Sequence, residues 1–141
     1  MNIVKSKHAV KRSLLELVLC LYIFISLIAN TAEAIYKPNH QVSVGFSHTC
    51  ALDNIGVSCW GNNTFGQTRV PMLSNPVQVS TGSYNTCALD DSGVVCWGHD
   101  LFGKNNVPSL SNPTQISTSS SNTCALDSTG VVCWGDDSFG Q

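Results

Sequence analysis

The 141-residue chain carries little charge, and beyond residue 34 very little of it is positive. Lys5, Lys7, Lys11, Arg12, Glu16 and Glu33 all lie before that point. The remaining residues include Lys37, Arg69 and Lys104 against seven aspartates and no glutamate, a net charge of −4. A surface this poor in cations has no basic patch to neutralise phosphates, which excludes nucleic acid as the expected partner. A bilayer-spanning run is missing too. The longest apolar stretch, Leu17 to Ala29, covers 13 residues, short of the roughly 18 that a spanning helix needs. Nothing after the leader repeats its apolar residues with a helical period. Glycine-rich phosphate loops, a nucleophile elbow, metal-ligand spacing and a serine–histidine–acid set are all lacking, and His8 falls in the leader. The expectation is a chain without catalysis, cofactor or metal.

The leader has its own grammar. A basic start, a short apolar run and Ala32-Glu33-Ala34 follow the order of a secretory signal peptide cleaved after Ala34. The mature chain is then secreted, periplasmic or at the cell surface, and touches a membrane only if the segment stays uncleaved. Cys20 lies within the apolar run. A lipid-modified cysteine would want a small residue where Leu19 stands, so Cys20 reads as a small hydrophobe. Removing residues 1–34 leaves six cysteines, an even number suited to an oxidising compartment.

Those six recur at a fixed period. Cys50, Cys87 and Cys124 are 37 residues apart, as are Cys59, Cys96 and Cys133, and Trp60, Trp97 and Trp134. Residues 41–77 and 78–114 agree at 22 of 37 positions, so the whole segment repeats and not only its cysteines. The organisation expected is a signal peptide (1–34), a lead-in (35–40), repeat 1 (41–77), repeat 2 (78–114) and a partial repeat 3 (115–141). Within repeat 2, Gln78–Gly82, Tyr84–Leu89 and Val94–Trp97 read as strands, with room for a short fourth near Val107. Short strands at a fixed period, with one tryptophan per unit, describe an all-β propeller blade or a solenoid coil. Two full units and a part cannot close a ring of about four blades or more. A stop inside a repeat reads first as a fragment of a larger propeller, with assembly of several chains or a protein that continues beyond Gln141 as the alternatives.

The cysteine spacing fits an antiparallel hairpin. If Cys50 faces Cys59, then Leu52 faces Val57 and all four side chains share one face. Opposed residues lie about 4.5–5.5 Å apart, within disulfide reach. The expected bridges are Cys50–Cys59, Cys87–Cys96 and Cys124–Cys133, each worth on the order of 2–3 kcal/mol. Zinc is the rival use. His48 stands two residues before Cys50, but the matching residues are Asn85 and Asn122, and zinc takes four ligands. His48 reads as a structural polar residue near a blade edge.

Asp53, Asp90 and Asp127 could be taken for catalytic acids. Because every copy carries one, they read instead as turn residues bonding their own backbone, followed by Gly56, Gly93 and Gly130. By the same reasoning Trp60, Trp97 and Trp134 pack between blades, with an exposed recognition surface as the alternative. Local function is expected where the copies differ: 46–48, 62–64, 67–69 and their counterparts. The candidate binding-loop residues are Asn62, Asn63, His99, Asp100, Asp136 and Asp137. The same positions could also be turns drifting under no demand. Asn62-Asn63-Thr64 also fits a glycosylation sequon.

The string Gly-x-x-x-Thr-Cys-Ala-Leu-Asp-x-x-Gly-Val-x-Cys-Trp-Gly, followed by Phe-Gly-Gln, resembles the repeats of the regulator of chromosome condensation superfamily. The resemblance covers residues 41–141 and implies blades of a β-propeller, seven in family members. Its short, cysteine-bearing form looks most like the secreted versions in bacterial repeat proteins and crinkly-type plant receptor kinases. Residues 60–71 also resemble the repeat of a propeller that inhibits β-lactamases. The resemblance implies a scaffold or binding module with an unidentified protein partner. It leaves two alternatives, an inhibitor of an extracellular enzyme and an exchange factor for a small GTPase. Only the blade-building residues carry over.

Overall fold

A computed structural model describes residues 40–140, together with Leu19 and Leu21, which are helical. The chain divides into two units, Met1–Lys37 and Pro38–Gln141. The signal-peptide expectation, with Cys20, lies outside the described residues. So does the lead-in, except His40.

The second unit consists of three sheets of three antiparallel strands each. The first holds β1 (Gln41–Val44), β2 (His48–Leu52) and β3 (Val57–Gly61). The second holds β4 (Gln78–Thr81), β5 (Asn85–Asp90) and β6 (Gly93–Gly98). The third holds β7 (Gln115–Thr118), β8 (Asn122–Asp127) and β9 (Gly130–Gly135). Each sheet keeps strand order along the chain, so each is an up-and-down meander of the kind that forms a propeller blade. No fourth strand forms near Val107. Its N–H turns back onto the Asn105 carbonyl, and Pro108 has no N–H to give a ladder.

The hairpin register is the one the cysteine spacing requires. Cys50 opposes Cys59 and Leu52 opposes Val57, with the same pairing in the other two sheets. Disulfides join Cys50–Cys59, Cys87–Cys96 and Cys124–Cys133, with Cα atoms 4.1, 4.1 and 4.0 Å apart. These bridges are part of the core. One cluster buries Cys50, Leu52 and Val79, and the other Cys87, Leu89, Ile116 and Ala125. So few aliphatic side chains, at roughly 1.5–3 kcal/mol each, leave much of the stability to the staples.

The sheets lie side by side, β1 against β4 and β4 against β7. Polar residues repeated in every copy make the join. The Gln41 Oε1 accepts the Val79 N–H at 2.9 Å, and the Gln78 Oε1 accepts the Ile116 N–H at 2.8 Å. The Ser43 and Ser80 hydroxyl oxygens accept the N–H groups of Thr81 and Thr118, both at 2.9 Å. These outward N–H groups of β4 and β7 are thereby satisfied by side chains of the blade before. Backbones also come close. A Cβ on Gly82 would stand 2.2 Å from the Ser119 carbonyl oxygen, so only glycine fits there. The middle blade, flanked on both sides, has every residue of β5 buried, whereas burial in β2 alternates.

Candidate functional site

One end of the blades carries the β1–β2 and β4–β5 turns and the loops that leave β3 and β6. There four rings meet across the junction of the first two blades. Phe46 and Tyr84 have centroids 5.7 Å apart, and Phe65 and Tyr84 5.4 Å, both pairs edge to face. The His99 ring lies 4.4 Å from Phe65 and 6.3 Å from Tyr84. Phe46 is 76% exposed and Phe65 45%, so the quartet is open to solvent. Offset and edge-on pairs of this kind hold aromatic side chains in place without burying them. The matching positions at the next junction hold Ser83, Phe102, Ser121 and Asp136, and no quartet forms there.

Most of the polar loop residues expected to bind a partner hold their own loops. The Asn62 Oδ1 accepts the Thr64 N–H and the Gln67 amide, both at 3.0 Å. The Asn63 Oδ1 accepts the Thr68 N–H at 3.1 Å, and the Asp100 Oδ1 the Asn105 N–H at 2.8 Å. The Asp136 Oδ1 accepts the Ser138 N–H at 2.9 Å and also bonds its hydroxyl. Those bonds hold the Asp136 carboxyl below the usual carboxylate range. Asp137 is exposed. His99, at the place of Asn62 and Asp136, makes no such bond; its ring joins the quartet. The loop after His99 is less regular, and Phe102 takes a positive φ of 65°.

Position 67 and its counterpart 104 differ between copies, which pointed to recognition, but both are interior. Gln67 and Lys104 are buried. The Gln67 carbonyl accepts the Thr86 hydroxyl and the Trp97 indole N–H, both at 3.0 Å. The Lys104 carbonyl accepts the Thr123 hydroxyl at 3.2 Å and the Trp134 indole N–H at 2.9 Å. The Lys104 ammonium donates to the Ser120 carbonyl at 2.8 Å. Burial pushes its pKa down, and the nearby Asp100 carboxylate opposes that. Among the described residues no group of His, Cys, Asp or Glu side chains could hold a metal ion.

The repeating three-stranded unit has counterparts among known proteins. The family model described as the regulator of chromosome condensation (RCC1) repeat matches residues 40–67, 77–104 and 114–141. The chain belongs to the RCC1 repeat family. No curated protein sequence matches it. Among solved structures it is similar to the ectodomain of the receptor kinase CR4 from Physcomitrella patens, at 26% identity and a TM-score of 0.58. That match covers 67% of this chain and 28% of that one. The CRINKLY WD40 ectodomain of the Arabidopsis thaliana receptor kinase ACR4 matches at 25% identity and a TM-score of 0.57, over 67% of this chain and 37% of that one. Prp20p from Saccharomyces cerevisiae shares the fold at 19% identity and a TM-score of 0.59, over 71% of this chain and 31% of that one. The chain thus spans about a third of the length of these structures.

Within each RCC1 repeat the shared aspartate sits in the β-hairpin turn. The Oδ1 atoms of Asp53, Asp90 and Asp127 accept the N–H groups of Ile55, Ser92 and Thr129 at 2.7, 2.8 and 2.7 Å. Gly56, Gly93 and Gly130 follow with φ of 137°, 114° and 130°. Asp90 and Asp127 do more than hold the turn. Their Oδ2 atoms accept the Ser74 and Ser111 N–H groups at 2.8 Å, tying the turn to the preceding linker. Burial alone would raise the Asp90 pKa, but bonds from Ser92, Ser74 and Gly93 hold it below the usual range. Bonds from Ser111 and Thr129 do the same for Asp127. Near this turn an open cleft of about 660 Å³ runs between Asp90–Val94 and Val107–Thr114. The tryptophans are not equivalent. Trp97 and Trp134 are half-buried against the repeat before them, while Trp60 is 54% exposed, with no described blade on that side.

His48 is buried at the junction of the first two repeats, with its Nε2 2.8 Å from the Thr86 hydroxyl and its Nδ1 unpaired. Burial lowers its pKa. Sequence reasoning missed the blade-joining roles of Gln41, Gln78, Ser43 and Ser80. The recurrence of Gln-x-Ser at the 37-residue period was the signal available. Nothing in the sequence marked positions 67 and 104 as interior.

Proposed function

We propose that the chain is a secreted or cell-surface protein-binding module with no chemistry of its own. The observation that carries this reading is how the reactive side chains are used. The cysteines after residue 34 are closed in hairpin disulfides, the shared aspartates hold turns, and His48 lies between blades. What remains at the loop end is a partly exposed aromatic surface, the kind of feature that anchors protein interfaces. Three disulfides in so small a unit fit an oxidising compartment, as do the receptor ectodomains the chain is similar to. Prp20p is a fold relative with binding properties toward Gsp1p and histones. An exchange-factor role in a reducing compartment would require hairpins that stand without their staples.

The test is affinity capture from the extracellular fraction with the oxidised chain, beside the same chain reduced and alkylated. A protein retained only by the oxidised form is expected. Retention of no protein by the oxidised form, or equal retention by both, overturns the reading.

A further inference from the structure

The aromatic quartet is made largely from residues that the blades do not need. Phe65 recurs in every copy, as Phe102 and Phe139, but Phe46, Tyr84 and His99 do not. His99 also replaces an Asn or Asp that bonds its loop in the other two copies. A position that gives up a loop bond to hold a ring beside a 45%-exposed phenylalanine serves something other than the loop.

The charge around the quartet sets the kind of partner. Of the seven aspartates in residues 40–140, Asp53, Asp90, Asp91 and Asp127 lie in or beside the hairpin turns at the other end, and the loops at the quartet's end carry Asp100, Asp136 and Asp137 against Arg69 and Lys104. The Lys104 ammonium is buried and tied to the Ser120 carbonyl, which leaves Arg69 as the exposed Lys or Arg among the described residues. Asp100 is exposed directly after His99. Ring faces attract a guanidinium or ammonium placed over them, and a net-negative surface draws a cationic segment in and orients it.

We propose that Phe46, Phe65, Tyr84 and His99 form a docking site for an arginine- or lysine-bearing segment of the partner protein. The site seats one cationic side chain against the rings, with Asp100 beside it. This rests on the protein-binding reading above and names the surface and the partner's charge.

The test uses the oxidised chain and three blocked peptides of equal length: alternating arginine and glycine, the lysine counterpart and the glutamate counterpart. Binding of the arginine or lysine peptide, weakening as salt rises, is expected. Phe46→Ala and Tyr84→Ala lower that affinity by roughly tenfold or more, the loss typical of a central aromatic anchor. Phe102→Ala, at the other junction, leaves it unchanged, and Arg69→Gln tightens it. His99→Asn separates a structural role from a binding one: it restores the loop bond and holds or raises the melting temperature while binding falls. Equal binding of the glutamate peptide, indifference to the quartet substitutions, or no binding of either cationic peptide overturns the proposal. So does preferential binding of a neutral oligosaccharide at the quartet. A partner captured equally well by wild type and the Phe46→Ala/Tyr84→Ala variant sinks this site but leaves the protein-binding reading standing.

Discussion

The two blade junctions share a joining scheme and differ in what fills it. At both, a glutamine and a serine of one inner strand accept the N–H groups of the next. At both, a tryptophan indole donates to a loop carbonyl of the blade before it. The first junction then buries His48 and Gln67 and shows an aromatic quartet at its rim. The second has Asn85 and Lys104 at the matching interior positions and no ring cluster. Residues common to the copies build the join, and residues peculiar to one copy give its rim a surface and its interior a titratable group. That difference can be probed from either side.

The largest effect should come from the blade that both junctions share. Cys87 is fully buried against the third blade's core, and β5 is buried throughout. The double substitution Cys87→Ala/Cys96→Ala is expected to cost about 2–4 kcal/mol, and more than Cys124→Ala/Cys133→Ala, whose Cys133 is exposed. Denaturant titration of each double variant checks this. Equal losses would show that the staples act on each hairpin alone, with no contribution from the junctions.

Much of this architecture could be read from the residues. The cysteine spacing allowed one hairpin register, and the aspartate–glycine pairs allowed one turn. The tryptophans were placed between blades, and Trp97 and Trp134 do donate to the loop carbonyl of the repeat before them, while Trp60 is 54% exposed. The polar variable positions carried two readings. An asparagine or aspartate in such a loop reads equally well as a contact residue or as a loop staple, and only geometry shows that Asn62, Asn63, Asp100 and Asp136 hold their own loops. The aromatic quartet was hidden for a different reason. Its members lie in separate loops, and their meeting depends on how far each blade is offset from the next.

An intermediate effect should appear on acidification, and it should be confined to the first junction. Burial lowers the His48 pKa, so the folded chain holds this imidazole neutral while the unfolded chain protonates it near 6.5. The folded state binds fewer protons, and stability is full above that pH and falls as pH drops through it. One proton limits the slope to about 1.4 kcal/mol per pH unit. His48→Asn, the residue type at the matching Asn85, should flatten this part of the profile. The Asp90 and Asp127 carboxyls, held below their ordinary value of 3.8, lose their contribution only at lower pH and should behave alike in both chains. Melting temperatures between pH 7 and pH 4.5 would show whether the histidine accounts for the difference.

The smallest expected effect isolates one hydrogen bond. Trp97→Phe keeps a large aromatic side chain but removes the indole N–H that donates to the Gln67 carbonyl at 3.0 Å. That carbonyl retains the Thr86 hydroxyl as a second donor, so it is not left bare. A loss of about 0.5–1.5 kcal/mol is therefore expected, without the larger penalty of an orphaned buried acceptor. Trp60→Phe at the matching place, where the side chain is 54% exposed, should change stability by less than about 0.5 kcal/mol. Adding Thr86→Val to Trp97→Phe strips both donors. The pair should then cost more than the sum of the single changes, since the Gln67 carbonyl is buried and unpaired only in the double variant. A strictly additive pair in a double-mutant cycle would mean that this carbonyl finds another donor and that the first junction does not depend on it.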